Sequence, residues 1–177
     1  FPNHPVVTHD GETLRFYDDL IRGKRVVINF IYASCPDLCS LSTARLARVR
    51  DFLGDAVGRD IFIYTITIDP ENDTPEVLKK FADAFGAGDG WLFLTGKPEE
   101  VHEIRWKLGE RSRSLSEHRS DMVIGNDPTG FWRRTSVMGS VATVTRTILD
   151  MIPGRRPLNR ATSAGHFKRR EDYRIQD

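Results

Sequence analysis

With 177 residues, 39% of them hydrophobic, the chain is long enough to bury a real core and short enough that a single domain is the natural expectation. A net charge of +1 supplies no broad attraction for nucleic acid or for an anionic membrane, and no nucleic-acid partner is expected. No stretch approaches the roughly 18–20 consecutive apolar residues of a membrane span. Phe1-Pro2-Asn3 shows neither a start methionine nor the apolar region of a signal peptide, so the sequence reads as a soluble fragment; because a leader or anchor can be removed, the compartment stays open on these grounds.

Val26-Val27-Ile28-Asn29-Phe30-Ile31 is dense enough in β-branched and aromatic residues to be a strand buried on both faces of a sheet. It runs directly into Cys35-Pro36-Asp37-Leu38-Cys39. From Leu38 a helical stripe of Leu38, Leu41, Val49, Phe52 and Leu53 is expected to face the core, with Arg45, Arg48 and Arg50 in water and Gly54 ending the helix. Ile61 to Ile68 is a second buried strand, and strand, helix, strand in this order argues for a right-handed parallel crossover.

Asp69-Pro70 breaks that strand. Asp73 or Thr74 then caps a helix that opens with Pro75 and Glu76 and buries Val77, Leu78, Phe81, Ala82 and Phe85. Trp91-Leu92-Phe93-Leu94 is a third strand, followed by a helix from Pro98 with Val101, Ile104, Arg105 and Leu108 on one side. The polar stretch Glu110 to Asp121 reads as a loop of the length that tends to carry function, and His118 lies in it. Met122-Val123-Ile124-Gly125 and Phe131-Trp132-Arg133-Arg134 flank a turn and predict an antiparallel hairpin; a last helix places Val141, Val144, Ile148 and Leu149 inward. The domain is taken as residues 1–152, and 153–177, rich in arginine and poor in apolar residues, as a basic, flexible tail.

Cys35 and Cys39 are the only cysteines, which excludes a stapled secreted framework and points to chemistry. They sit where a buried strand turns into a helix, so backbone N–H groups and the helix dipole favour a thiolate there. At i and i+4 their Cβ atoms stand about 5–6 Å apart, close enough to share a soft metal ion or, with modest adjustment, to form a disulfide. Two thiolates do not by themselves specify the metal. Of the histidines, His4, His9 and His166 lie near the termini and His102 on an amphipathic helix, and all four read as surface residues; His118, leading into a strand, can reach the sheet end that carries the cysteines.

Three segments together resemble the Sco/SenC family: Asn29 to Cys39, Thr67-Ile68-Asp69-Pro70-Glu71-Asn72-Asp73-Thr74-Pro75, and Glu117-His118 before an apolar strand. The likeness extends over about residues 5–152, through the Thr8-His9-Asp10-Gly11 turn and Gly90 to Gly96. It implies an α/β, thioredoxin-like fold with a central mixed sheet, flanking helices and an N-terminal hairpin. It also implies copper, Cu(I) or Cu(II), held by Cys35, Cys39 and His118, with the two cysteines able to cycle between dithiol and disulfide. A metallochaperone follows rather than an enzyme, delivering copper to the copper centre of cytochrome c oxidase or to another copper-site protein. A thioredoxin-like reductant is a further partner, and the setting is extracytoplasmic, in the periplasm or on an anchor facing it. The same residues also suit a thiol-disulfide oxidoreductase, with Cys35 attacking and Cys39 resolving, or a redox or copper sensor. Ser40 stands where the family often has proline, and Glu117 where it often has aspartate; neither change removes a ligand. Glu117 can serve as an acceptor beside the metal, although a solvated loop acid is the simpler reading.

Overall fold

The computed structural model describes residues 1–35 and 38–150. The expected basic tail, 153–177, and His166 lie outside them. Seven strands form one mixed sheet: β1 (Pro5–Thr8), β2 (Thr13–Arg15), β3 (Arg25–Ile31), β4 (Phe62–Thr67), β5 (Trp91–Thr95), β6 (Asp121–Asn126) and β7 (Phe131–Ser136), in the order β2-β1-β5-β4-β3-β6-β7. β3, β4 and β5 run parallel, β6 is antiparallel to β3, and β1 is antiparallel to β5. The helices are α1 (Leu38–Leu53), α2 (Pro75–Ala84), α3 (Pro98–Lys107) and α4 (Val141–Leu149). The N-terminal hairpin β1–β2 and the terminal hairpin β6–β7 both match the sequence-based expectation.

The centre of the sheet is covered on both sides, which is why β3 reads as an unbroken apolar run. Val27 and Ile31 join Leu46, Val49, Leu78, Val144 and Ile148 in the layer under α1, α2 and α4. Val26, Ile28 and Phe30 join Val101, Ile104 and a single π-turn, Phe16–Ile21, in the other. Asn29, the polar member of the run, is accommodated by a chain of side-chain hydrogen bonds across the sheet: Trp91 Nε1 donates to Thr65 Oγ1 (2.9 Å), which donates to Asn29 Oδ1 (2.6 Å).

Three expectations need correction. The buried face of α1 is Cys39, Ser42, Thr43, Leu46, Val49 and Leu53, whereas Leu38, Leu41 and Phe52 are exposed. Ser42 and Thr43 can be buried because each hydroxyl donates to the Cys39 carbonyl, so a polar pair occupies the core side without an unpaired group. On α2 only Leu78 and Ala82 are fully buried, and Val77 faces water. His9 is no surface residue: it is buried where β1 meets β5, its Nδ1 accepting from the Phe93 N–H at 3.1 Å. His4 and His102 agree with expectation in being unburied, His4 pairing with Glu103 and His102 lying on the outer side of α3.

The corrected face of α1 gives a direct test. Leu46→Ala should cost about 2–5 kcal/mol of folding stability as a large-to-small change in a closed core, while Leu41→Ala should change it by less than about 0.5 kcal/mol. Urea unfolding of the two variants reads the difference, and equal losses would return Leu41 to the core.

Candidate metal centre

The thiol pair is delivered by the C-terminal end of β3. After Ile31 the chain turns through Tyr32 to Ser34, with the Cys35 N–H donating to the Tyr32 carbonyl at 3.1 Å, and α1 starts at Leu38. Cys39 lies in the first turn of α1, buried, while Cys35 is partly exposed at its mouth. Both are free thiols, and the Cys39 N–H donates to Cys35 Sγ at 3.3 Å. An otherwise unused N–H at a helix start is thereby aimed at the sulfur, an arrangement that stabilises negative charge on Cys35.

Cys39 is in the opposite condition. Burial pushes its thiol up to about 12, and contact with the Cys35 sulfur acts in the same direction, outweighing a backbone hydrogen bond at Tyr32. Tyr32 is drawn into the same cluster: its phenol, in contact with the Cys35 sulfur and half-buried, is pushed up to about 12. The Tyr32 ring also meets His118 edge-on, with ring centroids 6.3 Å apart.

A buried carboxylate holds the turn ahead of the cysteines. Asp73 accepts from the Ala33 N–H with both oxygens (3.2 and 3.1 Å) and from the Thr67 hydroxyl at 2.5 Å. It therefore does not cap α2; Thr74 does, accepting from the Val77 N–H at 3.4 Å ahead of Pro75. Burial pushes the Asp73 carboxyl up, and the bonds from Thr67 and Ala33 work against that.

His118 follows a 3-10 turn, Leu115–Glu117, three residues ahead of β6. Because β6 is antiparallel to β3 and Met122 pairs with Asn29, its entry point lies at the sheet end where β3 releases the cysteine turn. His118 is 8% exposed, and its fully buried Nδ1 has no hydrogen-bond partner among the described residues. The group facing it is Glu110, whose Oε2 stands 3.5 Å from Nδ1 with both side chains 2% exposed. Glu110 Oε1 is occupied by the Ser112 N–H (2.9 Å) and the Ser112 hydroxyl. Burial pushes the Glu110 carboxyl up, but His118 and Ser112 outweigh it and hold the group down at about 2. Glu117 is an exposed loop acid whose Oε2 accepts from the Arg113 N–H at 3.0 Å.

The structure thus brings Cys35 and Cys39 together and puts His118 beside Tyr32 at the same end of the sheet. Among the described residues, no three His, Cys, Asp or Glu side chains are gathered closely enough to hold a metal ion. Glu110, which carries no sequence signal beyond a serine two residues on, is the acid beside His118.

A parallel-centred sheet with helices on both faces and a dithiol at the turn from its central strand into a helix defines a thioredoxin-like domain. The chain superposes on yeast Sco1 with copper bound with a TM-score of 0.69 (23% identity, 89% of this chain and 96% of that one) and on Arabidopsis thaliana ScoI with copper bound with a TM-score of 0.66 (21%, 85% and 98%), likenesses that establish the fold. The SCO1/SenC family profile matches residues 3–127, and the chain belongs to that family. It is 35% identical over 100 residues to the SCO1 protein homolog of Bacillus subtilis (55% of this chain, 50% of that protein) and 35% over 96 residues to protein SenC of Rhodobacter capsulatus (54% and 41%). It spans about half the length of the curated relatives it matches first. No helix among the described residues is long and apolar enough to cross a membrane.

Two outcomes follow from this geometry. Asp73→Ala strands the Ala33 N–H and the Thr67 hydroxyl and should cost about 2–4 kcal/mol in chemical denaturation; a loss within about 0.5 kcal/mol would show that the turn holds itself. In the reduced protein, Cys39 keeps its proton until pH approaches its raised value, so alkylation between pH 7 and about 9 should label Cys35 and spare Cys39. Peptide mapping by mass spectrometry checks this, and equal labelling of the two would contradict it.

Proposed function

We propose that the chain carries a copper ion as cargo, held by Cys35, Cys39 and His118, and passes it to another copper protein, the copper centre of cytochrome c oxidase being the recipient its family suggests. The observation that carries this reading is the reduced pair at the start of α1, with the Cys39 N–H on the Cys35 sulfur. Two thiolates and a neutral imidazole form a soft, low-coordinate set suited to Cu(I), and the same set accepts Cu(II). The buried His118 with an unpartnered nitrogen is in keeping with a ligand role. Solved structures of yeast and Arabidopsis relatives are described as copper-bound, and BsSco, a structural neighbour, as having a disulfide switch and belonging to a family of cytochrome c oxidase assembly proteins.

Cargo uptake displaces the Cys39 proton, and it brings His118 and the thiols together. Release couples to sulfur chemistry: a partner disulfide that oxidises Cys35 and Cys39 to a disulfide takes two electrons, leaves the partner as two thiols and removes both soft ligands in one step. By family analogy the setting is extracytoplasmic, in the periplasm or at a membrane surface facing it, with any anchor lying outside this sequence.

A second reading, thiol-disulfide exchange without metal, draws support from the inequality of the two thiols. Cys35 is accessible and its sulfur accepts an N–H, whereas Cys39 is buried and protonated, the division of labour between an attacking and a resolving thiol. In that reading His118 is dispensable.

Anaerobic titration of the reduced protein with Cu(I) against a competing chelator separates the two. One tight equivalent is expected, abolished in Cys35→Ser/Cys39→Ser and weakened at least about tenfold, about 1.4 kcal/mol, in His118→Ala. Weak binding indifferent to His118 would leave thiol exchange as the function.

A further inference from the structure

The pairing of Glu110 with His118 is not accounted for by the ligand set, and nothing about the fold requires it. Glu110 follows α3, its N–H donating to the Arg105 carbonyl at 2.9 Å, and its side chain turns inward in a stretch that is otherwise polar and largely exposed. A carboxylate this deeply buried needs compensating donors. Ser112 supplies two, both on Oε1, and the half-buried Arg105, which donates to the Ser112 carbonyl at 3.3 Å, adds positive charge nearby. Oε2 stands 3.5 Å from His118 Nδ1, a buried atom with no hydrogen-bond partner among the described residues. The separation exceeds the roughly 2.7–2.9 Å of a charge-assisted hydrogen bond by an amount that a small rotation of ring or carboxylate removes.

We propose that Glu110 is the positioning residue of His118, accepting the Nδ1 proton so that Nε2 is the nitrogen offered to copper, and that its buried negative charge shifts the cargo preference from Cu(I) toward Cu(II). The proposal rests on the reading of His118 as a copper ligand. A neutral imidazole has one N–H; with a carboxylate facing Nδ1, the tautomer protonated at Nδ1 gains a hydrogen bond, while the other sets a lone pair against an anion. Acceptors behind a metal-bound histidine fix its ring and raise its basicity. Two thiolates favour Cu(I), and an additional anion one ring away favours the ion with the larger charge. Glu117 cannot substitute, since it is exposed and occupied by the Arg113 N–H.

The test uses the whole chain, reduced, as wild type, Glu110→Gln and Ser112→Ala. Long-range proton–nitrogen NMR of the metal-free protein at mildly alkaline pH reports which ring nitrogen of His118 carries the proton; chelator competition then measures Cu(II) and Cu(I) affinities separately. The wild type should show Nδ1–H, and Glu110→Gln should lose that preference and bind Cu(II) about 10–100-fold more weakly, with a much smaller change for Cu(I). Ser112→Ala keeps the charge, loosens its hold and should move both readouts the same way by less, which serves if Glu110→Gln does not fold. A wild-type Nε2–H tautomer, an equal loss for the two oxidation states, or unchanged Cu(II) affinity in both variants would overturn the proposal. A wild type that binds neither ion would overturn the copper reading itself, while the NMR result would still decide whether Glu110 sets the tautomer.

Discussion

The thiol end of the molecule depends on how one buried carboxylate is satisfied. Asp73 sits on the loop leaving β4, and by accepting from the Ala33 N–H and the Thr67 hydroxyl it ties that loop to the turn leaving β3. The two strands are parallel neighbours, so both loops emerge at one end of the sheet, and each lacks the ladder partners that strands give each other. The carboxylate supplies acceptors where the ladder ends. Its place in Asp69-Pro70-Glu71-Asn72-Asp73-Thr74-Pro75 thereby gains a physical meaning: proline stops the strand, Asn72 donates to the Asp69 carboxylate, Asp73 reaches back to the cysteine turn, and Thr74 and Pro75 start the next helix. With Ala33 held, the start of α1 and the relation between its two sulfurs are set.

The architecture was largely legible because its strands are long runs of one residue type: β3, β4 and β5 announce a buried sheet, and the turn-rich segment before Phe131 announces the last hairpin. What failed, failed where burial was decided by hydrogen bonding across the structure. Ser42 and Thr43 look like solvent residues and Leu41 and Phe52 like core, yet the hydroxyls find the Cys39 carbonyl and the helix turns its polar pair inward. His9 looked terminal, but the pairing of β1 with β5 buries it against the Phe93 N–H. The cysteine pair was visible from spacing alone, and the placement of His118 at the same sheet end followed from its position just before a strand. Glu117 is the solvated loop acid that its setting suggests, and the acid beside the histidine is Glu110, eight positions before it, brought there by a loop whose path no local pattern encodes.

The site combines groups whose electrostatic states differ sharply over a short distance. Cys39 is kept protonated by burial, and Glu110 is kept ionised by donors that overcome burial. One is a buried group that keeps its proton, the other a buried group that keeps its charge. Tyr32 touches both halves: its phenol contacts the Cys35 sulfur, and its ring meets the His118 ring with centroids 6.3 Å apart.

The sheet order also gives the thiol turn and the His118 loop unequal mechanical footing. The cysteines are rooted in β3, flanked on both sides by paired strands, while the His118 loop hangs on β6, whose outer neighbour β7 is a margin with few buried side chains. Local opening starts at margins and spares centres. Fraying of the β6–β7 hairpin therefore loosens the histidine while Cys39 stays enclosed, so the two residues can exchange with solvent on different timescales within one folded molecule.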